Sequence, residues 1–194
     1  PTPSLIIEPG NAYHPALHRA AGRGDTNVLK ALLNHQLNVN EPDSNGLTAL
    51  MMASLTGRVD VVRLLLTAKS TPPLDVNATC KKGWTALMLA CYFGRLEVVR
   101  LLLSGGNGVA VNPRVDVNVQ GTDGWTLLMQ TVARGHADVV ELLLTTRPTE
   151  IAVKATSRGG WTALRVACFT GNVPVISALL SHPTTPPIDI HART

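Results

Sequence analysis

Six of the seven aromatic residues in this 194-residue chain, Trp84, Trp125, Trp161, Tyr92, Phe93 and Phe169, stand outside the Leu and Val runs that would build a core. Basic residues lie close to them in sequence: Lys81, Lys82, Arg134 and Arg158. A large aromatic ring buries about 150–250 Å², which at about 25 cal/mol per Å² amounts to about 4–6 kcal/mol before the ordering costs of association. Aromatic anchors flanked by Arg and Lys are the residue types that dominate protein interfaces. The chemistry they point to is adhesion. Bond-making chemistry has little to work with, because no Ser/His/Asp or Cys/His set falls at one place and the acidic Glu97, Asp138 and Glu141 belong to helix surfaces. No catalytic residue, cofactor or enzyme activity is therefore expected. No metal site is expected either, since His14 and His18 have metal-like spacing but lack a third ligand. Gly105, Gly106 and Gly108 precede no Gly-Lys-Ser/Thr and make no phosphate loop; Arg23-Gly24-Asp25 and Asn77-Ala78-Thr79 are chance matches to an adhesion tripeptide and a glycosylation sequon.

The elements that position these residues recur along the chain. The clearest copy runs from Lys82-Gly83-Trp84-Thr85 to Val98-Val99-Arg100-Leu101-Leu102-Leu103, and its skeleton returns at Gly46 to Leu66, Gly124 to Leu144 and Gly160 to Leu180. A degraded copy opens at Tyr13. Gly24, Gly57, Gly94, Gly135 and Gly171 mark the turns, at intervals of 33, 37, 41 and 36 residues. Such a period means stacked supersecondary units, each too small to bury its apolar face alone. In each unit Leu and small residues form the packing face of a first helix, a threonine (Thr48, Thr85, Thr126 or Thr162) is placed to cap it, and Val-Val-x-Leu-Leu-Leu gives the second helix a wide apolar face. In the first unit the helices are expected from about residue 16 to 21 and 27 to 33.

These residues resemble the ankyrin repeat, whose pattern runs Gly-x-Thr-Pro-Leu-His-x-Ala-Ala, two variable residues, Gly, then Val-Val-x-Leu-Leu-Leu and a closing Asp-Val-Asn-Ala. Asn38-Val39-Asn40, Asp75-Val76-Asn77-Ala78 and Asp116-Val117-Asn118 keep the closing motif. The resemblance implies an all-α, ankyrin-repeat solenoid of paired antiparallel helices with β-hairpin finger loops. It spans a domain over residues 13–194, after a lead-in over residues 1–12 that only Leu5, Ile6 and Ile7 could dock, with repeats at about 13–41, 42–78, 79–119, 120–155 and 156–192. The family's Pro is replaced by Ala49, Ala86, Leu127 and Ala163, and its His by Met51, Met88, Met129 and Arg165, leaving only His18. Polar links between units should be fewer as a result. Thr131-Val132 in place of the small pair should widen the stack locally. Cys91 and Cys168, in the second place of that pair, are expected to be packing residues.

Pro- or Gly-rich insertions follow the second helices, at Thr71-Pro72-Pro73, Ser104 to Gly108, Thr146-Arg147-Pro148 and Thr184 to Pro187. Loops at one edge absorb them, because loop length costs little entropy while stacked helices tolerate no change of register. In the longest, either Val109-Ala110-Val111-Asn112 or Val115-Asp116-Val117-Asn118 could start the next finger. From Val166 to Ile188 there is no Asp, Glu, Lys or Arg, whereas a terminal unit needs a polar outer face, so the chain reads as part of a longer one with more repeats or a packed segment beyond Ile190-His191-Ala192.

Family resemblance places ligand contacts at the finger tips, between Gly and Thr, and just before the inter-helix Gly, and six aromatics occupy those places. The expectation is a non-catalytic protein–protein interaction scaffold that binds a protein segment on its concave, Trp-lined face, through Trp84, Trp125, Trp161, Tyr92, Phe93 and Phe169, with Lys81, Lys82, Arg134 and Arg158 steering an acidic or mixed ligand. At the spacing of stacked helices, about 8–10 Å, the tryptophans should form a ladder. The bland competitor is that each Trp packs over the adjoining finger. An alternative function follows from likeness to the ankyrin domains of certain histone methyltransferases: a methyl-lysine reader whose aromatic cage lies between repeats, best formed here by Trp84, Tyr92, Trp125 and Asp123. A net charge of +4 argues against nucleic acid as the partner. No apolar run reaches membrane-span length. Three cysteines without a close pair suit a reducing compartment, so a cytoplasmic monomer is expected, with the nucleus as the other location.

Overall fold

The computed structural model describes residues 15–35, 37–105 and 114–182. Among them ten helices form five pairs: α1 (Pro15–Arg23) and α2 (Thr26–Leu33), α3 (Ala49–Thr56) and α4 (Val59–Thr67), α5 (Ala86–Tyr92) and α6 (Leu96–Ser104), α7 (Leu127–Ala133) and α8 (Ala137–Thr146), α9 (Ala163–Thr170) and α10 (Val173–Leu180). Odd-numbered helices stack on one another in an inner row and even-numbered helices in an outer row. The core runs unbroken between the rows.

Local sequence accounts for each helix. The hydroxyls of Thr48, Thr85, Thr126 and Thr162 accept the amides of Met51, Met88, Met129 and Arg165 at 3.2–3.4 Å, so every inner helix from α3 onward is capped by the threonine that the repeat supplies. Val61, Val62 and Leu65, then Val98, Val99 and Leu102, then Val139, Val140 and Leu143 are the buried faces of the outer helices. Between paired helices the turn needs glycine. Gly94 has φ +63°, and a Cβ on it would lie 2.6 Å from the His136 ring, so both backbone sterics and the next unit exclude a side chain.

Polar links between units persist, at the retained family histidine and elsewhere. His18 Nε2 pairs with the Leu47 carbonyl at 2.9 Å, and the residue after each turn glycine from Gly57 onward reaches back one unit. Arg58 Nε donates to Gly22 O (3.2 Å), Arg95 Nε to Leu55 O (3.1 Å) and Asn172 Nδ2 to Gly135 O (3.3 Å), while His136 Nε2 pairs with Tyr92 O (3.1 Å). At the far edge, Asn40, Asn77 and Asn118 each bridge to the next unit twice. Asn77, for example, donates to Arg114 O (2.9 Å) and accepts the Asp116 amide (2.8 Å). Asp116 and Asn118 thus carry the register after the long insertion, and the rival copy at 109–112 lies outside the described residues.

Two expectations need adjustment. Among the described residues the fingers contain no named strand, only an isolated bridge between Gln120 and Thr126, because each finger is a tight turn closed by a few backbone bonds. Cys168 is exposed rather than packed, since no described helix follows α9 on the side where α7 covers α5; Cys91 is buried there, its thiol hydrogen-bonded to Thr131. Thr131 itself is fully buried and turns its hydroxyl onto Leu127 O at 2.8 Å. From α5 onward the inner helices pack less extensively on one another than α1, α3 and α5 do, in keeping with the larger Thr131-Val132 pair. The lead-in and residues 183–194 lie outside the described residues.

Candidate functional site

The fingers position the three tryptophans mainly through backbone bonds, with the Asp123 and Ser157 side chains also accepting the amides of Trp125 and Trp161. Trp84 O accepts Cys80 N at 3.0 Å, Trp125 O accepts Gly121 N at 3.0 Å and Trp161 O accepts Ser157 N at 2.9 Å, each closing the base of its finger. Neighbouring fingers are tied the same way, Lys81 N to Asn45 O at 3.2 Å and Thr122 N to Lys82 O at 3.0 Å. Nothing in this scheme requires an indole.

Direct ring contacts join the aromatics into two clusters. Trp84 meets Tyr92 at a centroid distance of 4.8 Å and a tilt of 55°, and Tyr92 meets Phe93 edge-on at 5.1 Å. Trp161 meets Phe169 edge-on at 5.5 Å. Trp125, half-buried against the core between them, touches no other ring among the described residues. Trp84 and Trp161 thus each meet an aromatic of their own unit. An arginine covers each cluster: Arg134 lies 3.9 Å from the Tyr92 centroid and Arg165 4.6 Å from that of Trp161.

Trp84 serves two roles. Its indole edge rests on the next finger, where a Cβ on Gly121 would come within 2.9 Å of Nε1, so packing explains part of its place. The rest of the ring walls an open pocket of about 460 Å³ between the second and third fingers, residues 43–47 and 80–84, together with Leu47, Leu55, Leu89 and Phe93. Lys81 and Lys82 also line the pocket, and both are exposed. Phe93 is 43% exposed and Phe169 80%. Lys81, Lys82, Arg134 and Arg158 take no part in the three ion pairs of the described residues. Arg158 instead lays its stem against Gly124 of the preceding finger. Asp123 is occupied within its own unit, accepting Trp125 N at 3.0 Å and Gln130 Nε2 at 3.3 Å.

The family model for ankyrin repeats matches the chain in three copies, over residues 4–78, 67–146 and 109–193, and together these cover almost its whole length. The chain belongs to the ankyrin-repeat family. Ankyrin repeats generally mediate protein–protein interaction and are in general non-enzymatic. No curated protein matches the chain as a relative. Among the described residues, no group of three His, Cys, Asp or Glu side chains could hold a metal, and no helix is long and apolar enough to cross a membrane.

Two arginines with definite roles belong to no repeat motif. Arg165 occupies the ankyrin histidine position, where the repeat pattern implies only a lost link; its spacing of four from Trp161 at a helix start is the sequence signal for the stacking. Arg147, from an insertion loop, is buried with its side chain 5% exposed. It donates to Leu103 O at 3.0 Å and Val115 O at 3.1 Å, and lies 3.4 Å from Glu150. Burial, followed by the nearby Arg114, lowers its pKa, with Glu150 opposing.

Proposed function

We propose that this ankyrin domain is a non-catalytic scaffold that binds a protein segment along the face built from fingers and inner helices. The observation that carries the proposal is the cluster of Trp84, Tyr92 and Phe93 beside an open, largely apolar pocket, where the finger's own bonds need no aromatic ring. Trp161 and Phe169 extend the patch, with Trp125 between, and exposed Lys81, Lys82, Arg134 and Arg158 favour an acidic or mixed ligand and raise the rate of encounter. The unpaired cysteines suit action in the cytoplasm or nucleus, and this reading needs no second copy, nucleic acid or membrane. Affinity capture from lysate, comparing the natural chain with the Trp84→Ala/Trp125→Ala/Trp161→Ala variant after checking that both melt cooperatively, tests the proposal. The variant should lose most of the captured partners; equal recovery would show that the tryptophans serve only the fold.

The methyl-lysine reader has narrower support, the 4.8 Å approach of Trp84 and Tyr92. Against it, the Tyr92 ring already carries the Arg134 guanidinium, Lys81 and Lys82 would repel a second cation, and Asp123 is engaged in its own finger. Paired peptides with unmodified and trimethylated lysine separate the two readings, and equal affinity removes the reader.

A further inference from the structure

We infer that the pocket between the second and third fingers selects a partner segment in which one bulky apolar side chain is flanked by carboxylates. The inference rests on the reading that this face binds a protein segment, and adds which chemistry that segment carries.

The pocket is asymmetric in a way that specifies its occupant. Its walls are Leu47, Leu55, Leu89, Trp84 and Phe93, and its volume of about 460 Å³ is within the roughly 300–1,000 Å³ of sites that enclose a small ligand. It therefore suits a large aliphatic or aromatic side chain together with the backbone beside it. All the charge lining it is positive: Lys81 and Lys82 are exposed, make no ion pair among the described residues, and no Asp or Glu lines the pocket. Two acidic residues stand in the fingers nearby, and both are committed to their own turns. Asp43 Oδ1 accepts the amides of Asn45 and Leu47 at 2.8 Å, and Asp123 accepts from Trp125 and Gln130. On the Tyr92 side, Arg134 adds a third cation. The Asn45 side chain is exposed and bonds to no described residue, which leaves its amide available to the backbone of an extended segment. An acidic segment gains from all three cations, whereas a basic one would bring like charges together over a low-dielectric wall.

Peptide pools with one central position fixed as Leu or Phe, and the flanking positions fixed in turn as Glu, Gln or Lys with all others randomised, test this by fluorescence polarisation on the full chain. The Glu-flanked pools should bind best, and more weakly as salt rises. Lys81→Glu/Lys82→Glu, which changes only exposed side chains, should weaken the best Glu-flanked peptides by about tenfold and shift preference toward the Lys-flanked pools. Trp84→Ala should abolish binding of every pool. If the Glu-flanked pools show no advantage, or the double lysine variant binds them undiminished while Trp84→Ala still abolishes binding, the inference fails and the binding face stands. If peptides selected on the natural chain bind Trp84→Ala equally well, both fail, and if no pool binds, the inference is likewise overturned.

Discussion

Cys91 and Cys168 hold the same place in sister units and differ in everything their surroundings impose. Cys91 is sealed between α5 and α7, and burial pushes its thiol up to about 12, with the Thr131 hydrogen bond opposing only in part. Cys168 faces outward. A water-soluble thiol reagent should modify Cys168 in the native protein and reach Cys91 only on unfolding, as peptide mass mapping would show. The same shift links to stability. In the unfolded chain the Cys91 thiol ionises near 9.0, while in the folded chain it stays protonated to about 12, so its contribution is complete below pH 9 and falls away as pH rises toward 12. Cys91→Ala should therefore lose less melting temperature than the natural chain between pH 9 and pH 11; parallel pH curves would refute this. At this scale the sequence was informative about register and silent about contact. The repeat pattern placed Trp84, Tyr92 and Phe93 together, but not Arg134 on the Tyr92 ring, which depends on how two units are offset.

Among the elements, the loop after α8 shows how an insertion can be anchored. Arg147 reaches the carbonyl of Leu103, in the last turn of α6 where helical acceptors lack partners, and also holds Val115 at the start of the next closing motif. Glu150 ties this group to Arg114 at 2.9 Å. Arg147→Met should cost about 1–3 kcal/mol, because two enclosed carbonyls lose their donor, whereas Arg114→Ala, at an exposed ion pair, should cost less than about 1 kcal/mol. Urea denaturation of the two variants checks the ranking, and equal effects would mean that the brace is not what holds the loop. The helices and their caps were legible from Gly-x-Thr and Val-Val-x-Leu-Leu-Leu, since periodic burial leaves a periodic trace. Arg147 was not legible, because a single long side chain beside Pro148 has no period and reads as solvent-facing.

For the molecule as a whole, stability is a sum of units and the joints between them. Both side-chain bonds of Asn77 cross the joint to the segment just after the long insertion, Arg114 and Asp116 of the next unit. Asn77→Ala should weaken that joint by about 1–3 kcal/mol and lower the steepness of the urea transition, as the two ends of the stack begin to unfold separately. A single transition with unchanged slope would show that the core alone carries cooperativity across this joint. The solenoid was visible from the repeat interval. How its units are fastened was not, because beyond His18 the ankyrin histidines are replaced and the links between units come from Arg58, Arg95, His136 and Asn172.

Those four side chains all seek a carbonyl oxygen of the preceding backbone, an acceptor that any residue other than a missing one provides. These four bonds are thus indifferent to the side chains of the neighbouring unit. Wherever the turn glycines and the packed core are kept, recombination or deliberate shuffling can rewrite the aromatic surface without renegotiating these attachments beneath it.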